Sequence, residues 1–153
     1  GDHPALHQWD PPSALLSFNL KGKTPVIVVQ TDRTELKLTV DSGAEINLMD
    51  EKYELELGEP INGQEKRTFG GIATKARQVS LKNVSSIKVS GLSTGPMKTA
   101  FVNLHDFNHK VKGPMVDGIL GAEFLACFRV AFNFKKRELY LWEGVGGLMV
   151  EGR

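Results

Sequence analysis

The sequence predicts a mostly β protein, an antiparallel barrel carrying one short α-helix. Three observations predict it. Short runs rich in Val, Ile, Thr and Phe recur along the chain with Gly, Pro, Asp or Asn between them, as strands joined by tight turns do. Glu35–Val40 alternates polar and apolar residues, the period of a half-buried strand. Only Gly121-Ala122-Glu123-Phe124-Leu125-Ala126 reads as a convincing helix. At 153 residues the chain fits one domain with a real core.

The elements follow in order. Residues 1–14 hold Pro4, Pro11 and Pro12 without periodicity and read as a flexible or strapped-on lead. Leu15 to Leu20 is a strand, Gly22-Lys23 a turn, and Pro25 to Gln30 a buried, β-branched strand. Asp32-Arg33 turns the chain into Glu35–Val40, and Ile46 to Met49 continues beyond Gly43. Residues 50–60 hold a short helical turn and a loop. Arg67 to Phe69 and Ala76 to Leu81 form a long hairpin tipped by Gly70-Gly71. Val84 to Val89 and Met97 to Leu104 are strands joined by a turn over 91–96, and Val116 to Leu120 is a buried strand. Val130 to Phe134 and Glu138 to Trp142 close the domain as a hairpin around Lys135-Lys136-Arg137. The domain proper spans 15–142, and the Gly-rich tail 143–153 is mobile or pairs with a partner chain. No internal repeat is present.

Composition excludes several classes. A formal charge of +1 offers no basic face for nucleic acid. No stretch approaches the roughly 18 apolar residues of a membrane helix. The chain starts with Gly and has no signal-peptide core, so it reads as an excised or processed domain whose targeting segment is out of view. Cys127 is alone in an apolar run, which rules out an intrachain disulfide and suggests a buried small hydrophobe.

Weaker motifs fall away. His105 and His109 stand at i, i+4 and would suit a metal if helical, but Asn108 and Gly113-Pro114 favour an exposed loop and no third ligand is evident. Gly22-Lys23-Thr24 evokes a phosphate loop, yet Ser17 stands where its first glycine belongs. No Gly-x-Ser-x-Gly elbow supports a serine hydrolase. Asn83-Val84-Ser85 is a glycosylation sequon only on a eukaryotic secretory route.

The strongest signal is Leu38-Thr39-Val40-Asp41-Ser42-Gly43-Ala44, an apolar run that delivers one carboxylate onto a tight turn. Far downstream, Val116-Asp117-Gly118-Ile119-Leu120-Gly121 supplies an apolar-apolar-Gly element suited to pack beneath it. Asp41 could also be an ordinary residue at a strand end, and Gly70-Gly71 a plain hairpin turn.

With these elements in this order, the chain resembles the retropepsin-like aspartic proteases over roughly residues 15–142. Asp41-Ser42-Gly43-Ala44 is similar to the family's Asp-Thr/Ser-Gly-Ala signature, and Phe69-Gly70-Gly71-Ile72 looks like its flap. Ile119-Leu120-Gly121, followed by Phe124-Leu125, looks like the support beneath the active-site loop. The resemblance implies a closed antiparallel acid-protease barrel, hydrolysis of peptide bonds, and a peptide or protein substrate, with neither metal nor cofactor. It also implies that the Ser42 hydroxyl bonds across to a partner loop. The flap lacks the Tyr of pepsin-like enzymes, and the family's C-terminal dimerisation strands are hard to place.

The implied chemistry needs two carboxylates. About 3 Å apart they cannot both ionise, so one deprotonates water while the other donates to the substrate carbonyl. With one Asp-Ser-Gly per chain, the resemblance points to a homodimer that contributes Asp41 twice across a two-fold axis. Asp117 lacks its own Ser/Thr-Gly turn and reads as a loop residue. An alternative keeps the fold without turnover, as a dimerisation or peptide-binding module. The lead or tail could also act as an autoinhibitory strap removed by self-cleavage.

Overall fold

Residues 10–61, 67–69, 77–144 and 147–151 are described in a computed structural model of the chain. The strands are β1 (Ala14–Ser17), β2 (Asn19–Lys21), β3 (Thr24–Gln30), β4 (Glu35–Val40) and β5 (Asn47–Asp50). A 3-10 turn over Glu51–Tyr53 and helix α1 (Glu54–Leu57) follow, then β6 (Gly58–Glu59), β7 (Arg67–Phe69) and β8 (Arg77–Val84). Next come β9 (Lys88–Val89), β10 (Leu92–Ser93), β11 (Met97–Val102) and helix α2 (His105–Lys110). The chain closes with β12 (Gly118–Leu120), α3 (Ala122–Leu125), β13 (Phe128–Asn133), β14 (Glu138–Glu143) and β15 (Gly147–Glu151).

Turn chemistry sets most of the hairpins. Gly22, at φ 61°, turns β2 into β3. The Thr31 side chain accepts from the Thr34 N–H at 3.0 Å, and the backbone of Thr31 donates to the Thr34 carbonyl, closing the β3–β4 loop. Ser90 and Gly91 both take positive φ, 50° and 87°, between paired Val89 and Leu92. Two such residues suit the tightest hairpin turn. Arg137, at φ 57°, ends the β13–β14 turn through Lys135 and Lys136.

The barrel expected from the sequence is not closed. A four-stranded sheet runs β1-β14-β13-β15, and an eleven-stranded one runs β10-β9-β3-β4-β12-β5-β11-β8-β6, with β2 on β3 and β7 on β8. The division begins at Phe18, where the single strand expected over residues 15–20 breaks. The Phe18 ring meets Phe132 and Phe134 edge-on at 6.2 and 5.5 Å, so β1 joins one sheet and β2 the other. The sheets are also not purely antiparallel, since β4–β12, β5–β11 and β13–β15 run parallel. The tail thus contributes β15 to a sheet of its own chain.

Among the described residues three α-helices form: those over 54–57 and 122–125 fall where a helical turn and a helix were expected, and the third was not expected. The loop expected over 105–109 is α2, because Asn108 satisfies the next loop from within a helix. Its amide donates to the Val116 carbonyl and its oxygen accepts the Val116 N–H, both at 2.8 Å. Beneath it, the fully buried Lys21 ammonium donates to the carbonyls of Asn108, Val111 and Pro114 at 3.2, 3.0 and 2.9 Å. A cation at the C-terminal end of a helix is favourably placed.

Alternate residues of β4 decide which face is core. Leu36, Leu38 and Val40 enter the main core with Ile27, Met49, Phe124, Val130, Leu139 and Leu141. Lys37, Thr39 and Asp41 therefore share the other face. A second cluster of Val79, Leu81, Ala100, Val102 and Leu104 packs with Ile46 and Leu48.

Candidate active site

Asp41 is the first residue beyond β4 and is half-buried. Its backbone N–H donates to the Leu120 carbonyl at 2.8 Å, which ties the strand end to β12. Its carbonyl accepts the Ala44 N–H at 3.1 Å, closing the turn. The Gly43 N–H donates to Asp41 Oδ1 at 2.8 Å. A β-carbon at position 43 would lie 3.2 Å from that same oxygen. Glycine here serves close approach to the carboxylate and not a left-handed turn, since Gly43 is not among the positive-φ glycines. Ser42 is exposed beside it.

Ile119, Leu120 and Gly121 run beside this turn, with Gly121 against Ala44. β12 sits between β4 and β5, with Ile119 opposite both Thr39 and Leu48. The Ala122 N–H donates to the Ala44 carbonyl at 2.8 Å. The Gly121 N–H donates to Oδ1 of the buried Asn47 at 2.8 Å, and the Asn47 amide reaches Met97 Sδ at 3.4 Å. In the sequence Asn47 reads only as a strand residue. The available signal was a polar amide between Ile46 and Leu48, where burial demands partners.

A cavity of about 170 Å³ opens beside Asp41 and Ser42, walled by Pro25, Val40, Leu125, Phe132 and Phe134 with Lys23 and Thr24 at its polar side. Of the residues expected in the flap, Phe69 ends β7, opposite Arg77 of β8. Gly70, Gly71 and Ile72 lie outside the described residues.

Asp117 is held elsewhere. Its Oδ2 accepts the Lys37 N–H at 2.9 Å and its Oδ1 the Tyr53 hydroxyl at 2.8 Å. Lys37 is four residues before Asp41, which puts Asp117 about 13 Å down the strand. His105 and His109 stack on α2 with ring centroids 4.1 Å apart. Among the described residues, no group of three or more His, Cys, Asp or Glu could hold a metal ion. Burial, then the charge of Glu123, pushes the half-buried Cys127 thiol up. No helix among the described residues is long and apolar enough to cross a membrane.

The same architecture occurs in a retropepsin-like aspartic protease from Rickettsia conorii, at 17% identity and a TM-score of 0.55, covering 84% of this chain and 88% of that one. The EIAV protease, solved with the inhibitor HBY-793, is 23% identical over 72% of this chain and 91% of its own, at a TM-score of 0.41 too low to bear on the fold. No curated protein matches the sequence. Residues 25–124, which hold β4, the Asp41 turn and β12, match the family described as aspartyl protease. The chain belongs to the aspartyl protease family and has the retropepsin-like fold.

Proposed function

We propose that the protein is an aspartic endopeptidase that hydrolyses peptide bonds with water activated by Asp41. The observation that carries this reading is the Asp41 carboxylate itself. It stands half-buried at a strand end, with Oδ1 fixed by the Gly43 N–H and the backbone beneath it fixed by Leu120. Such fixed geometry suits a group that must meet a water and a carbonyl at hydrogen-bond distance.

One carboxylate is half of the chemistry. In this reading the active species is a homodimer, residues 15–142 form the catalytic domain of each chain, and the two Asp41 turns meet on the two-fold axis. The dyad shares one proton and titrates as a unit. The charged member takes a proton from water, and the protonated member donates to the carbonyl oxygen of an extended peptide. Ser42, Gly43 and Ala44 shape the loop, Ile119, Leu120 and Gly121 support it, and Phe69 to Ile72 form the flap that covers substrate and excludes bulk water.

The test is cleavage of a diverse peptide library by the parent chain and by Asp41→Asn. The reading predicts cleavage by the parent and a loss of at least about a thousandfold in the variant. Equal turnover by the two would remove Asp41 from the mechanism. Peptide binding without cleavage by either would favour the silent binding module.

A further inference from the structure

We propose that Asp117 is a positioning residue for the Asp41 turn, holding β12 in a single register against β4. The proposal rests on the reading of Asp41 as the catalytic carboxylate.

β12 has three residues, so its own ladder specifies its position weakly. Ile119 and Leu120 are both apolar and face opposite sides of the sheet, and a slip of one residue would exchange them. The slip would also break the bond from the Asp41 N–H to the Leu120 carbonyl. That bond, with those of Gly121 and Ala122, holds the end of the strand, and Asp117, which immediately precedes β12, holds its start.

Every polar group of Asp117 is used there. Its N–H donates to the Lys37 carbonyl at 2.7 Å, and its side chain returns the bond by accepting the Lys37 N–H. Its carbonyl accepts the Asp50 N–H at 2.8 Å, which ties it to β5. The second carboxylate oxygen takes the Tyr53 hydroxyl from the 3-10 turn. Asp117 thus pins the start of β12 to β4, to β5 and to the segment after β5, while Leu120 pins its end to Asp41. Only glycine fits at position 118 in this register, since a β-carbon there would lie 2.5 Å from the Leu48 carbonyl. A loosened β12 leaves the fold in place and lets the Asp41 turn drift, which costs rate before it costs substrate binding.

The experiment compares the parent chain with Asp117→Ala, Asp117→Asn and Tyr53→Phe by peptide hydrolysis and by amide hydrogen exchange. In Asp117→Ala the Asp41 amide should exchange at least about tenfold faster relative to a core amide such as Val130. Its kcat per folded molecule should fall about 10- to 100-fold, with KM within about twofold. Asp117→Asn keeps an acceptor for the Lys37 N–H and should restore part of both losses, and Tyr53→Phe should show a smaller quickening of the same amide. Unchanged relative exchange at Asp41 in Asp117→Ala overturns the proposal, as does unchanged exchange in both Asp117→Asn and Tyr53→Phe where Asp117→Ala does not fold, or a loss confined to KM or to the folded fraction. If the parent chain cleaves no peptide, the catalytic reading fails and the exchange measurement alone decides the register claim.

Discussion

Gly121 lies so close beneath Ala44 that a β-carbon on Gly121 would collide with the Ala44 carbonyl oxygen. The Asp41 loop and the start of α3 are therefore in backbone contact, which the bond from the Ala122 N–H to the same carbonyl reinforces. Gly121→Ala is expected to destabilise the fold by about 1–3 kcal/mol, the usual cost of forcing atoms into a packed site. A denaturant midpoint equal to the parent's would contradict this packing.

Asn47 is the side chain that satisfies the Gly121 N–H, and it is buried. Asn47→Leu keeps approximate volume and leaves that donor without a partner. The expected loss is about 1–3 kcal/mol, read from urea unfolding. An unchanged unfolding free energy would mean that the bond contributes nothing.

Lys21 has three backbone carbonyls and the Phe107 ring, 5.6 Å from its ammonium, as neighbours. Burial pushes its pKa down, so charging it inside the fold has a cost. Lys21→Met removes that cost but strips three acceptors of their donor. The orphaned carbonyls should outweigh the relieved charge, for a net loss of about 2–3 kcal/mol. A higher melting temperature for the variant would show the opposite balance.

Tyr53 gives a pH signature. Burial first, then the hydrogen bond to Asp117 and the charges of Asp117, Asp50 and Glu56, push its hydroxyl up to about 12 from 10.0. The folded state holds this proton more tightly than the unfolded chain. Its contribution to stability is whole below about pH 10 and is lost as pH rises through about 12. The parent should melt above Tyr53→Phe by a constant margin below about pH 10, and that margin should shrink towards pH 12. A margin independent of pH across this range would contradict the role given to the hydroxyl.

Local signals account for what the sequence made legible. Glu35–Val40 is legible to the residue because its alternation matches the burial of Leu36, Leu38 and Val40. The Asp41 turn and the element around Gly121 stand out in the sequence because both depend on glycine, which marks close backbone approach in any context. The rest is settled by distant partners. Asn108 signals a loop by propensity, yet its amide meets Val116 and leaves it inside α2. Phe18 splits a strand that looks continuous, because its ring packs on residues more than a hundred positions away. Sheet closure is likewise a long-range property, and the parallel pairing of β12 with β4 has no signature in either segment.

The shared proton gives the enzymatic reading its own pH test. A dyad that must hold one proton between two carboxylates predicts a bell-shaped rate profile with its optimum at acidic to near-neutral pH. Peptide hydrolysis followed across the pH range checks this. A rate that climbs only above about pH 9 would point to a different base.

The central claim, that Asp41 from each of two chains forms one dyad, is tested most directly by mixing. Parent and Asp41→Asn chains are unfolded together in equal amounts, refolded, and assayed for peptide hydrolysis against the same total of parent. If both carboxylates are required, only dimers with two parent chains work, and the mixture retains about a quarter of the parent's activity. Retention of about half, as expected if each chain acts alone, would contradict the account.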